Sequence, residues 1–204
     1  MSLNMPDHSE YVVFAEQLAN YSRAMLLIAS KKAPKITIKD DSSYVTETDK
    51  AVEQKLREEI QNKFPDHGII GEEFKDVNRN SDFVWILDPI DGTAAFVAGI
   101  PVYGTLIALA WKGMPFIGVI DHPLTDDRWV GVSNRISFMN GVPITTRSCK
   151  DMKKAYVTCS NPDFMSKNQL KQFEKFRDRV AYVQYGASCY AYGTLASGRS
   201  DFAV

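Results

Sequence analysis

Four acidic residues lie where predicted elements of the chain begin or end. Asp49 stands at the start of a helix, Glu72 follows a short strand, and Asp88 and Asp91 end an apolar strand. Each has a simpler interpretation, because Asp49 is a sound helix cap and residues 88–92 are typical of a turn. Together they predict an acidic cluster, since two aspartates three residues apart repel each other unless a cation or hydrogen-bond donors offset the charge.

The ligand types in this cluster predict magnesium. Oxygen ligands without clustered His or Cys select a hard cation, and Mg²⁺ accepts a few carboxylates while keeping positions for water and phosphate. Gly92 and Thr93 open a predicted helix just after Asp91, and its free N–H groups suit a phosphate. These parts match the metal-assisted hydrolysis of a phosphate ester, in which paired cations bridge the phosphate and activate water.

Two amphipathic helices and several short strands must position these groups. The first helix runs for about twenty residues from a predicted capping pair, Asp7 and Glu10, and ends before Pro34. Its predicted buried stripe is Tyr11, Ala15, Leu18, Ser22, Met25 and Ala29. The second helix begins at a capping box from Thr46 to Asp49. Strands are predicted at 35–39, 69–70, 83–87, 105–111, 116–120 and 128–132.

The order of elements changes near residue 150. Before Cys149, two helices are followed mostly by strands, which favours an α+β unit with an antiparallel sheet. From Ala155, strand, helix, strand and helix alternate, which favours parallel pairing. We therefore predict a fold of the α+β / α/β class with two domains, residues 1–149 carrying the acidic cluster and residues 150–204.

The composition is that of a folded protein with a near-neutral surface. The 204 residues are 45% hydrophobic, and 24 basic against 25 acidic side chains give a formal charge of −1. This balance predicts no nucleic-acid partner and no membrane anchor. Ala94–Trp111 carries no charge, but its Gly and Pro residues favour a buried hairpin over a membrane span. Three scattered cysteines and no signal peptide favour a cytoplasmic location.

Several segments resemble the inositol monophosphatase family of magnesium-dependent phosphatases. Residues 71–73 with 85–93 resemble the family signature, and Val45-Thr46 with Asp49 and Glu53 resembles its upstream aspartate motif. Residues 118–131 and 189–201 are most similar to histidinol-phosphate phosphatases. The resemblance implies a layered αβαβα sandwich, Mg²⁺, a homodimer and a small phosphorylated metabolite, first L-histidinol phosphate. Inositol 1-phosphate or another polyol or nucleotide phosphate is the alternative substrate.

The resemblance also implies roles for the matching positions. The metal ligands would be Glu72, Asp88, the carbonyl oxygen of Ile90, and Asp91. The catalytic residues would be Asp49, Glu72 and Thr93, with Asp49 and Thr93 orienting the attacking water. The substrate-binding residues would be Asp91, Gly92, Thr93, Gly186, Ala187 and Ser188, the last three contacting the organic half of the substrate.

Three features depart from the family pattern. The sequence ends at Val204, before a family strand and a Trp-Asp motif whose aspartate ligates the second metal ion. Ser188 stands where histidinol-type members usually have an aspartate, and Ala94 where they often have Lys or Arg. We therefore expect an incomplete C-terminal part, with poor activity and an aggregation-prone or dimeric chain. The alternative of another class is a non-catalytic homologue that binds metal or pairs with a partner.

Overall fold

The computed structural model describes residues 6–38 and 44–204. The helices are α1 (Ser9–Ala29), α2 (Glu47–Lys63), α3 (Thr93–Ala98), α4 (Lys167–Arg177) and α5 (Tyr190–Ala196). The strands are β1 (Ile36–Ile38), β2 (Tyr44–Thr46), β3 (Gly68–Gly71), β4 (Phe83–Asp91), β5 (Gly104–Trp111), β6 (Met114–His122), β7 (Asp127–Val132), β8 (Ser137–Met139), β9 (Val142–Ile144), β10 (Tyr156–Cys159), β11 (Tyr182–Tyr185) and β12 (Phe202–Ala203). The predicted strand at 35–39 corresponds to β1, and its last residue lies outside the described residues.

A mixed sheet of seven strands carries the main hydrophobic core. Its strand order is β3-β4-β5-β6-β7-β8-β9, with β3 parallel to β4 and each later pair antiparallel. α1 and α2 pack against one face of this sheet and against each other. Leu18, Leu56, Trp85 and Leu109 are fully buried in this layer. The α+β character predicted for the first part of the chain is confirmed.

The two long helices begin differently. α2 has the predicted capping box, in which Thr46 Oγ1 accepts from the Asp49 N–H at 3.4 Å and Asp49 Oδ2 accepts from the Thr46 N–H at 2.8 Å. The predicted Asp7–Glu10 pair at α1 is wrong, because the N–H and hydroxyl groups of Ser9 occupy the Asp7 carboxylate at 3.0 and 2.9 Å. The α1 start therefore relies on tertiary packing more than on its cap.

The buried face of α1 also lies slightly off the predicted stripe. Ala19 and Leu26 are fully buried, whereas Met25 and Ala29 are only partly covered. Ser22 is buried as predicted, and its hydroxyl forms a hydrogen bond with Thr105 of β5. A polar residue in this stripe is thus tolerated because it has a hydrogen-bond partner on the sheet.

β4 is fully covered on one face and only partly covered on the other, where Val84 is buried but Ile86 is not. The apolar run from Phe83 to Leu87 predicts a strand buried on both faces, but Ile86 is 38% exposed. Ile86 lies with Leu106 and Ile120 on the face away from α1 and α2, beside a cavity of about 450 Å³. Ile86 is exposed because helices α1 and α2 pack on the opposite face of the sheet.

Residues 155–204 contribute a smaller, fully parallel sheet with the order β11-β10-β12. The predicted alternation of strands and helices is confirmed, although α4 ends at Arg177 rather than at residue 180. Asp201 accepts from Arg147 Nε and Nη2 at 2.7 and 2.5 Å and from the Tyr156 N–H at 2.8 Å. This pairing fixes the segment before residue 150 to the smaller sheet, and the division into domains 1–149 and 150–204 stays a prediction.

The uncharged segment Ala94–Trp111 contains most of α3 and all of β5, and β5 forms the predicted hairpin with β6. Within residues 6–38 and 44–204, no helix has the length and apolar character needed to cross a membrane.

Candidate metal and phosphate site

A β-bulge near the end of β4 brings Asp88 and Asp91 to one cavity. Residues three apart in a regular strand point to opposite faces. Here Asp88 pairs with Leu106 and Asp91 with Gly104, so three steps along β4 correspond to two steps along β5. The extra residue changes the direction of the strand, and both aspartates line the same cavity.

Asp88 is half-buried among other acids. Its Oδ1 atom is inaccessible and has no hydrogen-bond partner among the described residues. Burial raises the pKa of Asp88 to about 8, and the charges of Glu72 and Asp91, a hydrogen bond with Glu72 and the charge of Asp49 act in the same direction. A carboxyl group in this environment stays neutral at pH 7 unless a cation offsets the burial and the repulsion.

Asp91 links the cluster to the start of α5. Its Oδ2 atom accepts a hydrogen bond from the Cys189 N–H at 2.5 Å. Burial raises the pKa of Asp91, and the hydrogen bond from Cys189 opposes that shift. Burial, followed by the charge of Asp91, raises the pKa of the Cys189 thiol. Cys189 is therefore a protonated thiol, unsuited to act as a nucleophile.

Asp49 approaches the cluster through Thr93. Asp49 Oδ2 accepts from Thr46, while Asp49 Oδ1 lies 3.3 Å from Thr93 Oγ1. The same Thr93 hydroxyl lies 2.9 Å from the carbonyl oxygen of Ile90. Burial raises the pKa of Asp49, and the hydrogen bonds from Thr46 and Thr93 oppose the shift. Asp49 is thus the predicted helix cap and also the partner of a residue on the cavity wall.

The cavity beside this cluster has a volume of about 820 Å³. The predicted residues on its wall are Glu72, Asp88, Ile90, Asp91, Gly92, Thr93, Gly186 and Ser188. Asp49 lies behind Thr93, and Ala187 is half-buried away from the wall. The structure therefore brings together residues from β4, α3 and the loop before α5. Asp49 and Ala187 are the two predicted site residues that do not lie on the wall.

Gly92 is required where α3 begins. Its φ of +86° lies in the left-handed region, and a Cβ atom there would lie 2.8 Å from Ser188 Oγ and 2.9 Å from the Val102 carbonyl oxygen. A glycine accepts both constraints because it has no side chain. The turn that follows Asp91 can therefore pack directly against Ser188, which joins the two parts of the predicted substrate site.

Acidic side chains predominate over basic ones on the described wall of the cavity. Among the described residues, no Lys, Arg or His lies on the cavity wall. A phosphate ester carries negative charge, so carboxylates at this spacing would repel it. An anionic substrate is therefore expected to enter only when cations accompany it.

The oxygen donors present fit a divalent cation. Asp88 offers a buried oxygen without a partner, and the wall adds the Glu72 and Asp91 carboxylates and the Ile90 backbone. Hard cations such as Mg²⁺ prefer these donors. Within the described ranges, however, no three His, Cys, Asp or Glu side chains are already grouped as metal ligands. Glu72 is exposed, and its hydrogen bond with Asp88 places its carboxyl group at the edge of the cluster.

The apolar side of the cavity is not predicted from the sequence. That side is formed by Tyr44, Ile100, Val102, Pro162, Phe164 and Tyr185. These residues come from separate segments, and only the three-dimensional fold brings them together. Their one signal in the sequence is the presence of large apolar side chains in predicted loops, such as Phe164, which is 81% exposed.

Two segments that resemble histidinol-phosphate phosphatases lie mostly outside the cavity. Arg128 Nε donates to Asp121 Oδ1 at 2.6 Å, and Trp129 Nε1 donates to Ser197 Oγ at 2.8 Å. The Tyr190 hydroxyl donates to Asp127 at 2.7 Å rather than facing the acidic cluster. These residues therefore stabilise the packing of α1 and α5 on the sheet.

Comparison with known proteins places this geometry in a family. A sequence profile of the Inositol monophosphatase family matches residues 7–204. The chain belongs to the inositol monophosphatase family. An inositol monophosphatase from Zymomonas mobilis superposes with a TM-score of 0.85 at 34% identity, covering 96% of this chain and 76% of that one. The predicted α/β sandwich is therefore the fold of this family member.

Two relatives connect the family member to different phosphatases. It is 39% identical over 196 residues to the chloroplastic bifunctional phosphatase IMPL2 of Arabidopsis thaliana, covering 95% of this chain and 57% of that protein. It is 31% identical over 175 residues to a histidinol-phosphatase of Chlorobaculum parvum, covering 85% of this chain and 68% of that protein. The chain thus spans between about half and about two thirds of the length of these relatives.

Proposed function

We propose that the protein is a metal-dependent phosphomonoesterase. The observation that carries this proposal is the cluster of Glu72, Asp88 and Asp91 on one cavity wall, in which burial and the neighbouring acids raise the pKa of Asp88. Membership of a phosphatase family supports the same reaction. Mg²⁺ is the proposed cation, because the available donors are all oxygen atoms and the cavity leaves room for water and phosphate.

Glu72, Asp88, the carbonyl of Ile90 and Asp91 would hold the cations. Bound cations would neutralise these acids, bind the phosphate oxygens and lower the pKa of a water molecule. The N–H groups of Gly92 and Thr93, at the start of α3, would donate to the phosphate.

Thr93 and Asp49 would orient the attacking water. A hydroxyl group has one proton to donate and lone pairs that can accept. When Thr93 Oγ1 donates to Asp49 Oδ1, its oxygen is available to accept a hydrogen bond from water in the cavity. A proton lost by that water would pass through Thr93 toward Asp49, whose pKa is raised by burial.

L-histidinol phosphate is the proposed substrate, and inositol 1-phosphate or another small polyol phosphate is the second candidate. Similarity to the histidinol-phosphatase of Chlorobaculum parvum supports the first, and the structural match to the Zymomonas mobilis enzyme supports the second. Tyr44, Phe164 and Tyr185 line the same cavity as the acids, and aromatic rings suit an imidazole ring better than a polyol. Ser188 provides no carboxylate for the amine of histidinol, so we propose reduced selectivity between the two esters.

Phosphate release tests the proposed reaction. Metal-free protein is assayed with L-histidinol phosphate and with inositol 1-phosphate, first in EDTA and then in saturating Mg²⁺. We expect turnover of both esters that requires Mg²⁺, with the higher kcat/KM for histidinol phosphate. Equal activity in EDTA would exclude the metal-dependent reaction. Mg²⁺ binding without any phosphate release would favour the non-catalytic alternative.

We propose that the protein is cytoplasmic and forms a homodimer. The described cysteines are all free thiols, which agrees with a reducing compartment, and Cys159 and Cys189 are buried. Exposed apolar residues on the larger sheet, such as Ile86 and Val142, offer surface for association. Sedimentation of the purified protein with and without Mg²⁺ tests the dimer, and a monomer at micromolar concentration would contradict it.

A further inference from the structure

A buried ion pair on α2 faces the loop that carries Glu72. The Glu53 side chain is fully buried and the Arg57 side chain is 5% exposed. The Arg57 Nε atom donates to Glu53 Oε1 at 2.8 Å, one helical turn along the same face. A buried ion pair is costly to desolvate, and apolar residues of similar volume often stabilise a fold as well. The pair therefore calls for a reason beyond the stability of α2.

The Glu53 carboxylate holds the backbone just after Glu72. Glu53 Oε2 accepts from the Glu73 N–H at 2.8 Å, and Glu53 Oε1 accepts from the Phe74 N–H at 3.2 Å. Two successive N–H groups thus point at one carboxylate. We call residues 72–75 the Glu72 loop.

Arg57 holds the far end of the same loop. Its Nη2 atom donates to the Phe74 carbonyl at 3.0 Å, and its Nη1 atom donates to the Lys75 carbonyl at 3.1 Å. The Arg57 guanidinium also lies 5.8 Å from the centre of the Phe74 ring. The planar group with five donors suits this task, because it reaches Glu53 and two carbonyl oxygens at once.

Gly71 brings the chain against this pair just before Glu72. A Cβ atom at Gly71 would lie 2.0 Å from Glu53 Oε1 and 2.7 Å from Arg57 Nη2. The ion pair thus contacts the backbone on both sides of Glu72. The loop is irregular in structure, so its conformation depends on these hydrogen bonds rather than on a strand ladder.

We propose that the Glu53–Arg57 pair positions Glu72 for metal binding. This inference rests on the proposed function, in which Glu72 is a metal ligand. Glu53 and Arg57 do not line the cavity, so both act through the loop as positioning residues. Groups that orient a metal ligand contribute strongly to affinity, and losing one typically weakens metal binding by about 10- to 100-fold.

Direct Mn²⁺ binding to metal-free protein tests this inference without turnover. Arg57→Lys keeps the charge but cannot make the three hydrogen bonds of the guanidinium, and Glu53→Gln keeps one acceptor oxygen without the charge. We expect both variants to bind Mn²⁺ at least about tenfold more weakly than the wild type by calorimetry or electron paramagnetic resonance. Glu58→Gln is the matched control, because this exposed acid of α2 contacts Gln54 and should leave binding unchanged.

A positioning role and a purely structural role differ in one further measurement. Thermal unfolding in EDTA reports the stability of each variant, and addition of Mn²⁺ reports its metal-dependent increase in Tm. We expect Arg57→Lys to remain folded in EDTA and to show a smaller increase in Tm with Mn²⁺ than the wild type. Folded variants that bind Mn²⁺ as tightly as the wild type would overturn the inference. A wild-type protein that binds no Mn²⁺ would overturn the proposed function as well.

Discussion

Asp88 and Asp121 are both aspartates near the ends of central strands, and they have opposite surroundings. Asp121, fully buried on β6, accepts from Arg23 Nε and Nη2 at 3.0 and 2.7 Å and from Arg128 Nε at 2.6 Å. Asp88 on β4 has Glu72, Asp91 and Asp49 as its charged neighbours. Asp121 is therefore neutralised by two arginines, whereas the half-buried Asp88 lies beside three other acids.

This contrast distinguishes an acid with a structural role, Asp121, from a proposed metal ligand, Asp88. Burial of a charge is tolerated when good geometry and hydrogen bonds compensate for the lost water, as they do around Asp121. Around Asp88 the same fold leaves an oxygen without a partner and raises the pKa to about 8. The acids at the end of β4 are thus arranged for a cation from solution, and four substitutions can break or sharpen this contrast.

The largest effect is expected from Asp91→Asn, which removes one charge from the uncompensated cluster. The kcat/KM in Mg²⁺ should fall by about 10³-fold or more, because metal activation of water contributes several kcal/mol. The free energy of unfolding in EDTA should stay equal or rise, since one repelling acid is gone. Phosphate release and denaturant unfolding measure the two quantities, and Asp178→Asn on the exposed end of α4 is the control. Activity within tenfold of the wild type would contradict the assignment.

Asp121→Asn should instead destabilise the protein without weakening metal binding. Arg23 and Arg128 would be left without their shared carboxylate, and breaking such a buried pair costs about 3–5 kcal/mol. Asp126→Asn is a matched control, because Asp126 also pairs with Arg23 but is 86% exposed and should contribute less than about 1 kcal/mol. Urea unfolding in EDTA measures the free energy of unfolding of the wild type and of both variants. A loss of similar size in both variants would show that Asp121 is not the structural acid.

His122, the residue after Asp121 on β6, is a base that is not easily protonated in the fold. His122 is fully buried, neither ring nitrogen has a partner among the described residues, and burial lowers the pKa of His122 to about 4. The charges of Asp127 and Asp121 raise the pKa of His122 and the charge of Arg23 lowers it, but burial has the largest effect. The unfolded chain binds this proton near pH 6.5, so stability is lost as the pH falls from 6.5 toward 4, by about 2 kcal/mol at pH 5.

His122→Leu should remove this acid sensitivity. The difference in unfolding free energy between pH 7.5 and pH 5 is measured for both proteins, because other groups, including His67 and Asp88, titrate in each. We expect the wild type to lose about 2 kcal/mol more than the variant. Parallel curves for the two proteins would show that His122 is charged without cost in the fold.

The smallest effect is expected from Ser188→Asp, which adds a carboxylate to the wall of the cavity that contains Asp88 and Asp91. A charge-assisted hydrogen bond to the amine of histidinol phosphate should raise kcat/KM for that ester by roughly tenfold and leave inositol 1-phosphate unchanged or worse. Ser188 has a φ of +43°, a conformation that aspartate accepts well. Ser188→Asn supplies the shape without the charge as a control. If the ratio of the two activities does not change, the amine does not lie near residue 188.

Local signals account for the parts that the sequence predicts well. The capping box from Thr46 to Asp49 lies within four residues, so cap chemistry determines it. Asp88 and Asp91 are equally close in the sequence, but the bulge in β4 brings them to one cavity. The contacts of Glu53 with residues 73 and 74 join positions about twenty apart and are not visible in the pattern.

Long-range packing accounts for what the sequence does not predict. Arg23 and Asp121 lie 98 positions apart, and the wall of the cavity joins Tyr44 to Tyr185. The exposure of Ile86 likewise depends on which layers cover the sheet, and an apolar run carries no information about that.

The bulge in β4 makes the site sensitive to the number of residues as well as to their chemistry. Asp88 and Asp91 reach one cavity because β4 has one residue more than β5 between the paired positions. Deleting a single residue at 89 or 90 would restore a regular register and leave both aspartates in the sequence, but it would change the face on which one of them lies. A substitution at position 89 or 90 that preserves the buried packing is therefore compatible with the site, whereas a change of length is not. Insertions and deletions in the lineage of this protein are expected to avoid this stretch and to collect in the surface loops.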